Sequence, residues 1–200
     1  MTRIELPGPL WLVGCGNMAG AMLGRWLESG LDPAAVTIID PFRKEAPAGV
    51  RLLAEAPVGE AAPAALMMGI KPQMFAATAP ALARAVGPET VILSIMAGID
   101  CATLSQTFAS ARTVIRLMPN LPVALGKGVA VLHSPDADAG ARALVDSLAA
   151  PLGLALWVER EALVDAGTAV SGSGPAFVYR FIDAMAGGAE QLGFSPDQAL

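Results

Sequence analysis

One turn near the N-terminus constrains the fold of this chain more than any other feature. Gly14, Gly16 and Ala19 fill a Gly-x-Gly-x-x-Ala pattern directly after the apolar run Leu10–Val13. Gly14 permits a tight turn, Gly16 leaves the backbone open to close approach, and Ala19 lets a helix pack closely on the strand. A helix that begins here presents free N–H groups to an anion. The pattern therefore predicts a strand, a turn and a helix with a phosphate-binding site at the turn.

Short apolar runs alternate with helix-forming segments along the first two-thirds of the sequence. We predict strands at Leu10–Val13, Val36–Ile39, Ala65–Ile70, Val91–Ile95, Val114–Met118, Val129–Leu132 and Leu154–Val158. We predict helices at Met18–Ser29, Gln73–Val86, Cys101–Phe108 and Asp138–Ala149. Such alternation forms a mostly parallel sheet with helices on both faces. The expected fold class is α/β, a Rossmann-type dinucleotide-binding domain over residues 1–158.

The pattern changes after residue 158 and becomes typical of helices alone. Apolar residues recur every three or four positions over Ala176–Leu192, which predicts one long helix. We expect residues 159–200 to begin an all-α domain; the alternative is a final helix packed on the same sheet. Ser195 and Pro196 are typical of a helix N-cap and first position. Because the sequence ends at Leu200, we expect further residues or a partner to complete this domain.

Composition and charge exclude several classes of protein. Hydrophobic residues make up 54% of the chain and charged residues 16%, which is too apolar for a disordered protein. No apolar run reaches the roughly 18 residues that span a bilayer. A net charge of −5 without a basic cluster argues against nucleic-acid binding. Cys15 and Cys101 lack metal-binding or Cys-x-x-Cys spacing, and no signal-peptide layout precedes them, so we expect a cytoplasmic protein without a metal.

Asp40 ends the second predicted strand, twenty residues after Gly20. A carboxylate at this place accepts hydrogen bonds from the ribose hydroxyls of NAD and repels the 2′-phosphate of NADP. Arg43 lies three residues further on and could pair with that phosphate if Asp40 turned away. Alternatively, Asp40 is only a turn residue before Pro41 and does not bind the ribose. The sequence leaves NADH and NADPH both open.

Three later strand ends carry glycine, proline, lysine or asparagine. Ligands of doubly wound sheets bind outside the carboxyl ends of the strands, so we expect these turns to line the cofactor cleft. The same residue types are also ordinary turn formers. The candidate cofactor-binding residues in these turns are Ile70, Lys71, Pro72, Met96, Ala97, Gly98 and Asn120.

A small-residue segment, Ser171–Ala176, directly precedes the predicted long helix. Its backbone amides would lie at a helix N-terminus, which suits an anion or a close cofactor contact. A flexible linker between two helices is the alternative. His133 lies at a predicted strand end, and we interpret it as a surface residue rather than a catalytic base.

Together, these turns resemble the pyrroline-5-carboxylate reductase family from about Leu10 to the C-terminus. The Met-Pro-Asn-x-Pro and Ser-Gly-Ser-Gly-Pro-Ala segments are the specific ones, whereas many dehydrogenases share the Gly-rich turn. The matching segments are Gly14–Met18, Ile70–Gln73, Met96–Ile99, Arg116–Pro122 and Ala169–Ala176.

The resemblance implies that NADPH or NADH reduces the C=N bond of 1-pyrroline-5-carboxylate to L-proline, and that the full-length protein is a homodimer or higher homo-oligomer. It implies no acid–base residue, since an iminium already accepts a hydride and orientation supplies most of the catalysis. The implied pyrophosphate site is Gly16, Asn17 and Met18; Ile70 and Lys71 contact the cofactor, and Ala97 lies near the nicotinamide. The implied substrate residues are Glu161, Ser171, Ser173 and Gly174.

The sequence departs from the family in two respects. Pro41 and Pro47 break the segment where the family has a helix, and Ala56 replaces a frequent asparagine, which puts the adenosine contacts in doubt. The family also continues past residue 200 with dimerisation helices and a Gly-Gly-Thr loop that holds the substrate. We therefore expect this chain to bind cofactor better than it turns over substrate. A related dehydrogenase or imine reductase with another substrate, and a non-catalytic dinucleotide-binding protein, remain alternatives.

Overall fold

An eight-stranded sheet organises the molecule, of which the computed structural model describes residues 4–200. The strands are β1 (Leu10–Val13), β2 (Val36–Ile39), β3 (Arg51–Leu53), β4 (Ala65–Met68), β5 (Val91–Ser94), β6 (Thr113–Pro119), β7 (Gly128–His133) and β8 (Gly153–Trp157). They lie in the order β3-β2-β1-β4-β5-β6-β7-β8. Every neighbouring pair is parallel except the antiparallel pair β6–β7. The predicted mostly parallel Rossmann-type sheet is confirmed.

Helices cover both faces of this sheet, as predicted. The α-helices are α1 (Asn17–Glu28), α2 (Phe75–Leu82), α3 (Cys101–Thr107), α4 (Ala139–Ala149), α5 (Ala162–Gly167), α6 (Gly174–Gln191) and α7 (Pro196–Ala199). Helices α1 and α4 pack on one face, where the buried Trp26 indole N–H donates to the Leu148 carbonyl at 2.6 Å. Helices α2 and α3 pack on the other face through Phe75 and Leu104. Strands covered on both sides need continuous apolar sequence, which explains the fully buried runs in β1, β2, β4 and β5.

The strand order reverses at β1. From β1 the chain proceeds outward through β2 and β3, then returns to the other side of β1 to form β4. Connections therefore leave the carboxyl ends of β1 and β4 in opposite directions, and a crevice opens between them. The Gly-rich turn after Val13 lies at this crevice.

Two elements differ from the sequence-based expectation. Strand β3 was not predicted, because it has only three residues and lies half-exposed at the sheet edge, where no alternation is imposed. Helix α2 is shorter than predicted: a 3-10 turn, Pro72–Met74, precedes it and it ends at Leu82. Pro80 lies inside it and supplies no backbone N–H, which weakens its continuation.

The C-terminal segment is helical almost throughout. Helix α5 continues into a π-helical turn, Thr168–Gly172, and then into α6. Helix α6 begins within Ser171–Ala176, as predicted, but the segment is not a flexible linker: its first residues lie in the π-helical turn, and the Ser173 N–H donates to the Thr168 carbonyl at 3.2 Å. The Ser171 hydroxyl donates to the Gly167 carbonyl at 2.8 Å, which lets a polar residue sit inside the helical path. None of the helices within residues 4–200 combines the length and apolarity of a membrane span.

Candidate functional site

The Gly-rich turn has the backbone shape that a pyrophosphate needs. Gly14 has φ +78°, and a Cβ placed on it would lie 2.7 Å from Ile70 Cγ2. A Cβ on Gly16 would meet nothing within 4 Å, so the backbone there is open. No side chain caps the first turn of α1, which leaves its N–H groups for another acceptor. An open backbone at an uncapped helix N-terminus fits an anionic group.

A groove of about 1000 Å³ runs along this turn. The Gly-rich turn, the end of β2, the loop after β3 and the stretch from Gly69 to Val86 line it. The predicted site residues in its lining are Gly14, Gly16, Asp40, Ile70 and Lys71. A groove of this size, at the carboxyl ends of parallel strands, suits a dinucleotide.

Asp40 and Arg43 both contact the Gly-rich turn. Asp40 Oδ2 accepts a hydrogen bond from the Cys15 N–H at 3.1 Å, and Oδ1 accepts one from the Phe42 N–H at 3.0 Å. Arg43 Nη1 donates to the Cys15 carbonyl at 2.5 Å, and its Nε donates to the Glu45 carbonyl at 2.7 Å. Asp40 lines the groove, whereas Arg43 lies outside its lining. Burial raises the pKa of the Cys15 thiol in this turn.

The other predicted cofactor residues lie near the same sheet edge but outside the groove lining. Asn17 and Met18 form the first turn of α1, and Pro72 begins the 3-10 turn before α2. Met96 is buried after β5, while Ala97 and Gly98 beside it are exposed. Their roles remain predictions.

Asn120 joins the sheet to the π-helical turn. It follows β6 directly, and its Nδ2 donates to the Ser171 carbonyl at 2.9 Å. Its Oδ1 accepts the Val129 N–H at 2.8 Å. The side chain is buried and thus ties two segments that the sequence analysis assigned to cofactor and substrate.

Glu161 belongs to an ion network around the buried Arg116 and does not stand alone at a helix start. Its Oε1 accepts from the Cys101 N–H at 2.8 Å and from Arg116 Nη1 at 2.9 Å. Arg116 Nη2 also donates to Asp165 Oδ1 at 2.7 Å. The Arg116 side chain is 2% exposed and its Nε has no partner. Burial opposes its charge, but hydrogen bonds to Asp165 and Glu161 outweigh burial and raise the Arg116 pKa.

His133 is buried, so its interpretation as a surface residue is wrong. It pairs across the sheet with Arg116, and its Nδ1 lies 2.9 Å from the Val158 carbonyl. Candidate ligand atoms of Cys101, His133 and Glu161 lie within 4.8 Å of one another. Burial, followed by the charge of Glu161, raises the Cys101 pKa to about 12. A protonated thiol and a carboxylate already paired with Arg116 make this cluster a poor cation site.

Sequence reasoning missed two parts of the site. The loop after β3 contributes Glu55 and Glu60 to the groove lining but has no motif of its own. Arg116 lies in a segment that resembles the family, and Asp165 lies shortly before another such segment. Nothing in the sequence indicates that their side chains are in contact. An arginine within an otherwise apolar strand was the one available signal, since a buried charge requires a partner.

The family model and the similar curated proteins point to one family. Residues 161–200 match the family model for pyrroline-5-carboxylate reductase dimerisation. A pyrroline-5-carboxylate reductase of Pseudomonas aeruginosa is 36% identical, over 94% of this chain and 71% of the relative. The reductase structure from Coxiella burnetii has a TM-score of 0.87 at 23% identity, covering 96% of this chain and 74% of that one. The Plasmodium falciparum reductase with NADP bound has a TM-score of 0.82 at 19% identity, covering 99% and 74%.

Proposed function

Because this chain belongs to the pyrroline-5-carboxylate reductase family, we propose that its groove holds the dinucleotide with which the family reduces a cyclic imine. The activity is the NAD(P)H-dependent reduction of 1-pyrroline-5-carboxylate to L-proline, a step of proline biosynthesis. One observation supports the assignment of the site. The open Gly-rich turn, Asp40 and the π-helical turn bound by Asn120 all lie at the carboxyl ends of the parallel strands.

The cofactor half of the site rests on backbone geometry. We propose that Gly16, Asn17 and Met18 offer N–H groups to the pyrophosphate, because the start of α1 is uncapped and open. Asp40 accepts from the ribose hydroxyls, and Lys71 and Ile70 contact the cofactor from the other side of the groove. When bound, NAD(P)H supplies the hydride.

The substrate half lies where the π-helical turn meets the sheet. We propose that Ser171, Ser173 and Gly174 face the imine, with Asn120 fixing the turn through the Ser171 carbonyl. Glu161 binds the N–H of Cys101 and the guanidinium of Arg116, so we assign it a positioning role between α3, β6 and α5. We also propose the division of the chain into residues 1–158 and 159–200.

The family model over residues 161–200 supports self-association. Helix α6 has an exposed apolar surface, and only Ala186 of this helix is buried. We propose that this surface pairs with a second copy, giving a homodimer or a higher homo-oligomer. We further propose a cytoplasmic setting, because Cys15 and Cys101 are both free thiols.

The proposed function is tested by incubating the 200-residue chain with 1-pyrroline-5-carboxylate and either NADPH or NADH. Loss of nucleotide absorbance together with chromatographic detection of L-proline is the expected result. Gly16→Ala provides the matched variant, because it blocks the cofactor's approach without a clash in the protein. Nucleotide binding without any L-proline, both in this chain and in a version extended by the C-terminal helices of the Pseudomonas aeruginosa relative, would overturn the reductase activity and leave only a dinucleotide-binding protein.

A further inference from the structure

The carboxylate of Asp40 is fixed in the groove by two backbone hydrogen bonds. Oδ2 accepts the Cys15 N–H at 3.1 Å and Oδ1 accepts the Phe42 N–H at 3.0 Å. Both bonds would break if the side chain turned away from the Gly-rich turn. Each oxygen keeps a lone pair, so the carboxylate can accept further hydrogen bonds from hydroxyl groups. A ribose with a free 2′-hydroxyl can donate to it, whereas a 2′-phosphate brings a like charge.

The arginine that could receive a 2′-phosphate is held elsewhere. Arg43 donates from Nη1 to the Cys15 carbonyl and from Nε to the Glu45 carbonyl. These bonds hold Nε and Nη1 on backbone carbonyls, and Arg43 does not line the groove. The condition under which Arg43 could pair with a 2′-phosphate, that Asp40 turns away from the turn, is therefore not met.

The charged side chains near Asp40 also disfavour a 2′-phosphate. Glu55 and Glu60 line the groove together with Asp40. Arg51, the nearest cation of β3, forms two 2.7 Å hydrogen bonds with Glu60 and is not free to meet a phosphate. The cations in the lining, Lys71 and Arg84, come from the stretch between β4 and the end of the α2 region. Glu55 thus adds negative charge beside Asp40 at this end of the groove, whereas the charge of Glu60 is balanced by Arg51.

We propose that this chain selects NADH over NADPH, with Asp40 as the residue that determines the preference. The proposal rests on the dinucleotide groove of the proposed function and adds to it the identity of the nucleotide. Asp40 accepts from the ribose hydroxyls, and its fixed charge disfavours a phosphate at the 2′ position. Arg43 stabilises the turn and does not contact the 2′ position of the nucleotide.

Isothermal titration with NAD⁺ and NADP⁺ tests the preference without any turnover. We expect the wild-type chain to bind NAD⁺ at least tenfold more tightly than NADP⁺, and kcat/KM for NADH to exceed that for NADPH. Asp40→Asn keeps an acceptor for the Cys15 N–H and removes the charge, so the affinity ratio should fall toward one. Asp32→Asn is the matched control, because Asp32 caps a 3-10 turn outside the groove and Asn also caps.

Arg43→Ala distinguishes the two possible roles of the guanidinium. If Arg43 only supports the turn, both affinities fall alike and their ratio stays within twofold. A selective loss of NADP⁺ affinity in this variant would overturn the proposal, as would equal or tighter NADP⁺ binding by the wild-type chain. These results leave the reductase activity standing. Selective NAD⁺ binding without L-proline formation, also in the version extended by the relative's C-terminal helices, would instead overturn the activity and support the preference.

Discussion

At the scale of single residues, the two glycines of the nucleotide-binding turn serve different purposes. Gly14 is required by the protein itself, because its φ is +78° and Ile70 occupies the space of a Cβ. Gly16 is needed for cofactor binding instead, because the empty space around it lets the cofactor approach the backbone. One turn thus separates a residue needed for folding from a residue needed for binding.

Alanine at each glycine should have opposite consequences. We expect Gly14→Ala to lower the free energy of unfolding by at least about 1–3 kcal/mol, since it combines a left-handed backbone with a clash. Gly16→Ala should change stability by less than about 0.5 kcal/mol, while weakening NAD⁺ binding at least tenfold. Urea unfolding and titration calorimetry measure the two effects. Equal loss of stability in both variants would contradict this division.

Arg116 links the sheet to α5 through its ion pairs with Glu161 and Asp165. We expect Arg116→Gln to lower the free energy of unfolding by about 1–3 kcal/mol, because Glu161 and Asp165 lose a buried charged donor. Arg180→Gln is the control, since Arg180 pairs with Asp183 on the surface and such pairs contribute about 0–1 kcal/mol. Urea unfolding should give a lower midpoint for Arg116→Gln than for Arg180→Gln. Equal midpoints would show that Arg116 stabilises the fold no more than a surface ion pair does.

Cys101 makes stability depend on alkaline pH. Burial raises its pKa from 9.0 to about 12, so the folded state keeps the thiol protonated where the unfolded state ionises it. This contribution is complete below pH 9 and is lost as the pH rises from 9 toward about 12. Under reducing conditions, Cys101→Ala should flatten the decline in melting temperature over this range. Parallel curves for wild type and variant would show that the thiol does not titrate on unfolding.

At the scale of elements, the π-helical turn depends on the sheet. Asn120 bridges this junction: its Nδ2 donates to the Ser171 carbonyl of the turn, and its Oδ1 accepts the Val129 N–H of β7. A π turn within a helical path is uncommon and often lies at a functional site. Besides the hydrogen bonds within the helical path, a residue fifty-one positions away holds this turn against the sheet.

Removing the Asn120 side chain should therefore loosen the turn selectively. We expect Asn120→Ala to speed amide hydrogen exchange at residues 168–174 about tenfold, which corresponds to about 1.4 kcal/mol, the range of one lost hydrogen bond. Exchange in α1 should stay unchanged. Asn17→Ala is the matched control, because Asn17 is exposed at the start of α1. Equal exchange at residues 168–174 in both variants would show that the turn holds its own shape.

At the scale of the whole molecule, the helical segment differs from the rest in its surface. The sheet and its four covering helices form two apolar cores, one on each face. Helix α6 instead exposes large apolar side chains along its length, among them Phe177, Phe181, Ile182 and Met185. A contiguous apolar surface of this kind is typical of an interface between proteins.

Light scattering tests self-association through this surface. We expect the wild-type chain to show a mass above 20.4 kDa, and Phe181→Asp to shift the distribution toward the monomer. Leu154→Asp is the control, because Leu154 is equally exposed but lies on β8 at the sheet edge. A monodisperse monomer of the wild-type chain would contradict the proposed interface.

The sequence by itself determined the fold class and the nucleotide-binding turn. Both follow from local chemistry: apolar runs of strand length, helical periodicity, and glycines whose spacing suits a strand, a turn and a helix. It failed where the structure depends on context, at the short edge strand β3, at the π-helical turn and at buried His133.

Only the tertiary structure decided which residues of the site meet. The Asp40–Cys15, Arg116–Glu161 and Asn120–Ser171 bonds span 25, 45 and 51 residues of sequence. Such pairs carry no spacing signal, because their distance is set by strand order and helix packing. The same reason explains why the sequence left NADH and NADPH open: the choice depends on where the Asp40 and Arg43 side chains find backbone partners across the turn.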